Sequence, residues 1–381
     1  MIYLLILLLL SLTLNLLFIY FDFLPFYKPF IQRKLGTNIK KTQKSKPELE
    51  KHILEASIKT IESRKSLTIW TEPKGVAEKL FNLLFTKYNP NVEFYNFPRA
   101  FLFLGLVKYL ADSANEKNLK RLKTQFDKLI DEQGNPTFNF EKVDQAIFGT
   151  AALEFYSIYK EPKYLNFSQN VFSFLDQIYN QDQIIRYRHN SDFVLYDTLG
   201  MIIPFLVKFH QVADNQKALT IAKTQMDLYL KHGVDKDTYI PVHGFKISTK
   251  TKLGSANWGR GIGWYLLGLH ALHKYDASFD TEYQTIINHL EYLTLQDNKW
   301  SQFPGTSYDF DSTATTMFLY AMPKKPLNKY EMLNIFEENI SQEGFLLAAS
   351  GDTYGFNNYS KSFGKSEMAQ GILLLLLNKY K

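Results

Sequence analysis

The chain has 381 residues, of which 45% are hydrophobic, 22% charged and 15% aromatic, and its formal net charge is +6. These values are typical of a globular protein with a sizeable core. The absence of cysteine excludes disulfides, thiolate metal sites and a cysteine nucleophile.

The N-terminus begins with an apolar segment. Ile2 to Tyr20 carry no charged side chain, and roughly 20 helical residues span a ~30 Å hydrocarbon layer. A cleaved signal peptide is the alternative, but no Lys or Arg precedes the apolar run and no small-x-small cleavage site follows it. We therefore predict a transmembrane anchor in residues 1–26, with the membrane as a partner.

Basic residues crowd immediately after this segment, from Lys28 to Lys51. Such a cluster is typical of a membrane-adjacent segment rather than of a nucleic-acid-binding surface, and no nucleic-acid partner is predicted. The positive-inside rule then places the remainder of a single-pass protein on the cytoplasmic side. We interpret residues 27–47 as a basic tether and residues 48–381 as one folded domain.

The rest of the chain has apolar residues at helical spacing, with turns marked by Asn, Asp, Gly and Pro. Strand signals are scarce. Helices are predicted at 48–64, 74–88, 98–113, 116–132, 142–159, 161–179, 195–212, 214–232, 261–275, 279–296, 311–322, 327–340 and 363–379.

Six of these helices open with a similar signal, a polar or small residue followed by an apolar helix. These openings begin at Phe97, Val143, Tyr196, Arg260, Ser312 and Ser366. Their spacing of roughly one helical hairpin predicts an all-α (α/α)6 barrel, with an open solenoid of helix pairs as the alternative. In a barrel, the residues that precede the inner helices converge on one cleft.

The segment from Ser255 to His273 is the most distinctive in the chain. It places Trp258 and Trp264 around Arg260, among glycines that remove side chains where a ligand could approach the backbone. Indoles suit stacking on a sugar, and a guanidinium suits pairing with a carboxylate. We predict substrate-binding roles for these three side chains, although a helix entry that merely packs would have the same composition.

Asp144 and Asp197 occupy equivalent positions at the starts of two inner helices, so both are predicted to face the cleft as catalytic carboxylates. The alternative is that each only caps its helix. His243, in the long loop before the tryptophans, and His189, ahead of Asp197, are candidate substrate-binding residues, although a loop histidine is usually only solvated.

The sequence contains none of the common metal or nucleotide motifs, namely HExxH, a calcium loop, a Walker loop, a dinucleotide fingerprint or a GxSxG elbow. Neither a metal nor a nucleotide cofactor is therefore predicted.

The segments WGRGIGWY, YDTLGMIIPFL, VDQAIFG and STATTMFLYAM together resemble the unsaturated glycuronyl hydrolases, glycoside hydrolase families 88 and 105. The likeness is closest to the unsaturated rhamnogalacturonyl hydrolase branch and runs from about Phe94 to the end. It implies an (α/α)6 catalytic domain that removes a 4,5-unsaturated uronic acid from an oligosaccharide.

In that family, an Asp protonates C4 of the double bond and activates water for C5, and the resulting hemiketal opens and expels the remaining sugar. The resemblance implies that Asp197 is this Asp and that Asp144 is a second cleft Asp. It likewise implies substrate-binding roles for Trp258, Arg260 and Trp264, together with the cleft histidine His243 and, more loosely, His189.

The sequence departs from the family in two ways: Ile262 stands where family members usually have Asn, and a membrane anchor is atypical of the family. Two alternatives therefore stay open at this stage. An enzyme of surface-polysaccharide assembly or trimming could use the two Asp residues on an ordinary glycosidic bond. A non-catalytic scaffold at the membrane could bind carbohydrate without turning it over.

Overall fold

The computed structural model describes residues 2–24, 45–63, 95–113, 115–188, 191–254, 257–295, 298–360 and 362–381. The helix predicted at 74–88 and most of the predicted tether lie outside these residues. The helices are α1 Ile2–Phe18, α2 Lys46–Glu62, α3 Phe97–Asp112, α4 Glu116–Phe126, α5 Ala146–Tyr159, α6 Pro162–Asp182, α7 Tyr196–Ala213, α8 Gln216–His232, α9 Gly259–His273, α10 Asp280–Tyr292, α11 Ser312–Ala321, α12 Lys329–Asn334 and α13 Glu367–Lys379.

The prediction of a transmembrane anchor is wrong. Helix α1 has 17 residues, and a rise of 1.5 Å per residue gives it a length of roughly 25 Å, short of a ~30 Å hydrocarbon layer. No described helix combines the length and the apolarity that a membrane crossing requires. The fold prediction is therefore wrong in including a transmembrane helix. The predicted membrane partner and the single-pass localisation depended on that helix and are wrong with it.

Six helices form a closed ring. Helices α3, α5, α7, α9, α11 and α13 each contact the next, and α13 contacts α3 again. Nearly every residue of α9 is buried, as expected of a helix with protein on all sides. Outer helices such as α4 instead bury one stripe, Leu119, Leu122 and Phe126, against the ring. The buried residues form one continuous hydrophobic core.

The ring closes where the last helix meets α3. A Cβ placed on Gly105 would lie 2.1 Å from the carbonyl oxygen of Gly371, and one on Gly371 would lie 2.3 Å from that of Phe101. Only glycine permits two backbones to approach so closely. Helix α2 also contacts both α3 and α13, so an outer helix from the N-terminal part of the chain covers this joint.

Short strands occupy the loops before the ring helices. Strands β1 Phe193–Leu195, β2 Gly244–Lys246 and β3 Lys252–Leu253 form an antiparallel sheet in that order. Near the C-terminus, β4 Ala349–Ser350 pairs with β7 Phe363–Gly364, and β5 Thr353–Gly355 pairs with β6 Asn358–Tyr359. These strands were not predicted, because segments of two or three residues carry no periodicity.

Candidate active site

A cleft of about 310 Å³ lies at the N-terminal ends of the ring helices. Five of the predicted site residues meet here. Asp197, His243, Trp258, Arg260 and Trp264 all line it. His189, the remaining predicted substrate-binding residue, lies outside the described residues, and its neighbour Arg188 lines the cleft.

The β1–β2 pairing brings Asp197 and His243 together. Leu195 lies opposite Gly244, and the backbone N–H of Tyr196 donates to the carbonyl of His243 at 3.3 Å. The end of one strand therefore meets the start of the other, although about 50 residues separate them in sequence. His243 Nε2 lies 3.8 Å from Asp197 Oδ2, and its ring stacks on Tyr196 with centroids 5.0 Å apart.

Burial shifts the pKa values of Asp197 and His243 so that the two side chains do not form an ion pair. Desolvation raises the pKa of Asp197 to about 7, with Arg260 opposing the rise and Asp352 adding to it. Desolvation lowers the pKa of His243 to about 4. Around pH 6, both side chains are therefore mainly neutral and do not form an ion pair. Asp197 keeps 18% of its side chain exposed, so it remains accessible from the cleft.

Asp144 does not line the cleft directly. Tyr187, which does line it, lies close enough to the Asp144 carboxylate to influence its pKa. Burial raises the pKa of Asp144 to about 6, against the lowering effects of Lys142 and Tyr187, and Asp352 contributes a further rise. Two carboxylic acids with raised pKa values thus lie near the same third carboxylate, that of Asp352.

Arg260 is already paired in this structure. Its Nη2 donates to Asp352 Oδ1 at 2.5 Å and its Nη1 to the carbonyl of Ser350 at 2.9 Å. Its guanidinium carbon also lies 5.5 Å from the ring centre of Trp258. The side chain is held firmly at the cleft wall, and a substrate carboxylate would have to share it with Asp352.

Asp311 supports this arrangement from behind. It is fully buried, caps α11 by accepting from the backbone of Thr313 and Ala314, and accepts from the Ser350 hydroxyl at 2.5 Å and the Ser350 N–H at 3.2 Å. Ser350 in turn presents its carbonyl to Arg260. The capping residue of one ring helix therefore fixes a guanidinium on another.

The two indoles differ from the prediction in their surroundings. Trp264 is 1% exposed and packs edge-on against Phe97 with centroids 5.4 Å apart. Trp258 is 2% exposed and lies 5.8 Å from His243 and 5.6 Å from Tyr359 between ring centres. Each contributes an edge of the cleft wall rather than an open stacking platform.

The glycines of α9 serve packing between helices. A Cβ on Gly261 would lie 2.0 Å from the Tyr196 ring, and one on Gly263 would lie 2.7 Å from the sulfur of Met317. The interpretation of these glycines as room for a ligand is therefore wrong. They let α9 sit close to its neighbours, which fixes Arg260 and the two tryptophans.

Sequence reasoning missed the hairpin of β5 and β6. Asp352, Thr353, Gly355 and Phe356 line the cleft, and the Phe356 ring lies 5.1 Å from His243 and 5.3 Å from Phe193 between centres. The segment GDTYGFNNY has turn residues on both sides of an aromatic, which is a signal for a short hairpin. Nothing in it indicates that Asp352 meets Arg260, 92 residues away in sequence.

Several polar atoms buried at the cleft floor make no hydrogen bond within the described part of the chain. They are Asp144 Oδ1, Tyr196 OH, Asp197 Oδ2, His243 Nδ1 and Trp258 Nε1. Buried polar groups are normally paired, so such a concentration is typical of a site that a polar ligand completes. Across the described residues, no group of three or more His, Cys, Asp or Glu side chains is positioned to hold a metal ion.

Comparison with known structures gives the fold. A possible member of the GH105 family from Salmonella enterica serovar Paratyphi A matches with a TM-score of 0.67 at 15% identity, covering 89% of this chain and 94% of that one. A possible member of the GH105 family from Klebsiella pneumoniae matches at 0.66 and 16%, with the same two coverages. The unsaturated glucuronyl hydrolase of Bacillus sp. GL1, responsible for the degradation of glycosaminoglycan, matches at 0.64 and 13%, covering 87% and 96%.

The family assignment comes from the sequence itself. Residues 78–341 match Glycosyl Hydrolase Family 88. This match spans most of the ring and includes Asp144, Asp197, His243 and Arg260. The cleft described above therefore belongs to a glycoside hydrolase, and the chain is a member of Glycosyl Hydrolase Family 88.

Proposed function

We propose that this protein removes a 4,5-unsaturated uronic acid from the non-reducing end of an oligosaccharide by hydrating the double bond. The observation that carries the proposal is Asp197, a cleft carboxyl whose pKa is raised to about 7. At neutral pH such a group is present in both forms, so it can donate a proton and later accept one. The proposal also draws on the similarity to unsaturated glucuronyl hydrolases reported above.

The proposed reaction consumes one water. Protonated Asp197 gives its proton to C4 as the C4–C5 π bond breaks, and positive charge develops on C5 and the ring oxygen. Water then bonds to C5 and passes a proton to the Asp197 carboxylate, which restores the acid. The hemiketal opens to a ketone at C5. The oxygen freed at C1 becomes a hemiacetal hydroxyl, and collapse of that hemiacetal expels the remaining sugar.

The neighbouring side chains have separate proposed roles. Neutral His243, 3.8 Å from Asp197 Oδ2, would hold the attacking water or a sugar hydroxyl. Asp144, behind the cleft wall near Tyr187, would supply a second protonatable group. Among the described residues, Arg260 and Arg188 are the two cations that line the cleft, and they would receive the uronate carboxylate.

The decisive experiment uses an unsaturated disaccharide produced by a polysaccharide lyase as substrate. The absorbance of the conjugated double bond should disappear as the sugar is released. Asp197→Asn should lower kcat by about 10²–10⁴-fold, because loss of a general acid has effects of that size. Asp237→Asn is the matched control, since that Asp lies exposed in a loop of the same domain.

Two outcomes would reject the proposal. One is no turnover of any lyase-derived oligosaccharide by the folded wild-type protein. The other is release of sugar from a saturated uronide at a similar rate, which would indicate ordinary hydrolysis of the glycosidic bond by the same two carboxylates.

The pH dependence follows from the raised pKa of Asp197. Because the first step needs the protonated carboxyl, kcat/KM should fall as pH rises above about 7. The measurement is a kcat/KM profile from pH 5 to 9, with circular dichroism at each pH to verify that the protein stays folded. A profile that stays flat up to pH 9 would show that Asp197 is not the proton donor.

A further inference from the structure

A second cavity, of about 260 Å³, lies at the other end of the helical ring. Its charged side chains come from the C-terminal halves of ring helices, with Lys108 on α3 and Lys208 on α7, whereas lining residues such as Met201 lie deeper in the ring. The cleft described above lies at the N-terminal ends of these helices. Met201 lines both cavities, so a thin layer of side chains separates them.

Positive charge exceeds negative charge in this second cavity. Its charged lining residues are three lysines and one glutamate. Lys108 Nζ and Lys208 Nζ each lie 3.4 Å from the same oxygen, Oε1 of Glu154. Lys274 makes no ion pair with any residue in the described ranges, and its pKa is lowered by burial and by the nearby Lys108. Glu154 therefore pairs with two of the three ammonium groups, and Lys274 has no carboxylate partner among the described residues.

A buried imidazole faces the same cavity. His270 is 9% exposed, and its Nδ1 has no hydrogen-bond partner within the described part of the chain. Burial and the nearby Lys274 lower its pKa to about 3, so the ring is neutral and carries one N–H donor. An unpaired polar atom in such a position is costly unless a ligand or water completes it.

The remaining lining gives the cavity an apolar floor, with Leu104, Ile147, Pro204 and Leu267 among its residues. Lysines near helix C-termini can also serve only to offset the negative end of the helix dipole. That explanation accounts for lysines at this end of the ring. It does not account for their convergence on one cavity together with an unpaired histidine.

We propose that this cavity binds a small oxyanion, a carboxylate or a phosphate, through Lys108, Lys208, Lys274 and the imidazole of His270. The lysines supply charge, and the imidazole supplies a neutral donor at the floor. The apolar floor favours an organic anion with a short hydrocarbon part over an inorganic one. This inference does not depend on the reaction proposed for the cleft.

The test is calorimetric titration of the full chain with inorganic phosphate, acetate and butyrate at constant ionic strength, with chloride as reference. Saturable binding should appear, with butyrate tighter than acetate because of the apolar floor. Lys274→Gln should weaken binding about tenfold, as expected for loss of one charge-assisted hydrogen bond. Lys120→Gln, an exposed lysine on α4, is the matched control and should bind like the wild type.

A second variant identifies the cavity. Arg188→Gln removes a cation from the cleft at the opposite end and should leave binding of these anions unchanged. The proposal is overturned if no probe binds more tightly than chloride, which would mean that water completes His270 and that the lysines only offset the helix ends. It is also overturned if Arg188→Gln abolishes binding and Lys274→Gln does not.

Discussion

Two buried arginine–carboxylate pairs stand at the starts of ring helices, and they differ in what surrounds them. Arg99 of α3 pairs with Glu367 of α13 at 3.1 Å, and the two side chains are only 1% and 2% exposed. Arg260 of α9 pairs with Asp352 at 2.5 Å, but Asp352 lies in a hairpin segment and is 27% exposed at the cleft. The Arg99–Glu367 pair, here called the closed pair, is sealed between two ring helices. The Arg260–Asp352 pair, the open pair, is accessible from the cleft.

The comparison teaches that residue type at a helix start does not determine its role. Glu367 occupies a position comparable to that of Asp197, at the start of a ring helix. Glu367 forms an ion pair with Arg99. Asp197 instead lies beside the neutral His243, because the nearby Arg260 is paired with Asp352. Burial raises the pKa of Asp197, which has no cation bound to its carboxylate.

The largest expected effect is the loss of stability when the closed pair, Arg99–Glu367, is broken. Glu367→Gln should lower the free energy of unfolding by about 3–5 kcal/mol, because it leaves the Arg99 charge buried without its partner. Urea unfolding followed by circular dichroism measures it. Glu132→Gln, at a side chain 87% exposed, is the matched control and should change stability by less than about 0.5 kcal/mol. Equal losses in the two variants would mean that the buried Arg99–Glu367 pair does not stabilise the joint between α3 and α13.

Breaking the open pair, Arg260–Asp352, should lower stability less than breaking the closed pair does, but it should change the pKa of Asp197. Asp352→Asn should cost about 1–2 kcal/mol, because Arg260 keeps its bond to the Ser350 carbonyl and the site is partly solvated. Asp352 raises the pKa of Asp197, so its removal should lower that pKa and move the basic limb of kcat/KM to lower pH. An unmoved limb, measured on protein with wild-type circular dichroism, would mean that Asp352 does not act on the catalytic carboxyl.

The smallest expected effect concerns the second cleft arginine. If Arg260 is committed to Asp352, binding of a uronate should depend on Arg188, which is exposed at the cleft. Arg188→Gln should raise KM about tenfold and leave kcat unchanged, the pattern of a lost ground-state contact. Arg186→Gln, at an arginine paired with Asp182 at 3.1 Å, is the control. An unchanged KM for Arg188→Gln would indicate that the uronate carboxylate binds to Arg260 instead.

Much of the ring could be predicted from the sequence, because long apolar helices carry a clear period. The helix predicted at 195–212 is Tyr196–Ala213, and the one predicted at 261–275 is Gly259–His273. The roles of single residues were harder, because they depend on partners remote in sequence. The glycines of α9 and the pairing of Arg260 with Asp352 are set by the packing of neighbouring elements, which no local pattern records.

The prediction of a transmembrane anchor at the N-terminus was wrong for a different reason. Its composition suited a membrane, but the α-helix ends at Phe18 after 17 residues. Hydropathy reports how apolar a segment is, whereas crossing a bilayer also sets a minimum length of regular helix. The roles of Asp144, Asp197, His243, Trp258, Arg260 and Trp264 stay predictions, and the experiments above test those of Asp197 and Arg260.

The glycine contact between α3 and α13 has a consequence for biosynthesis. The ring is incomplete until Gly371 meets Gly105, which lies far earlier in the chain. A chain growing from its N-terminus therefore lacks the final wall of the ring until α13 has been made. Truncation before α13 should leave the ring open along one side.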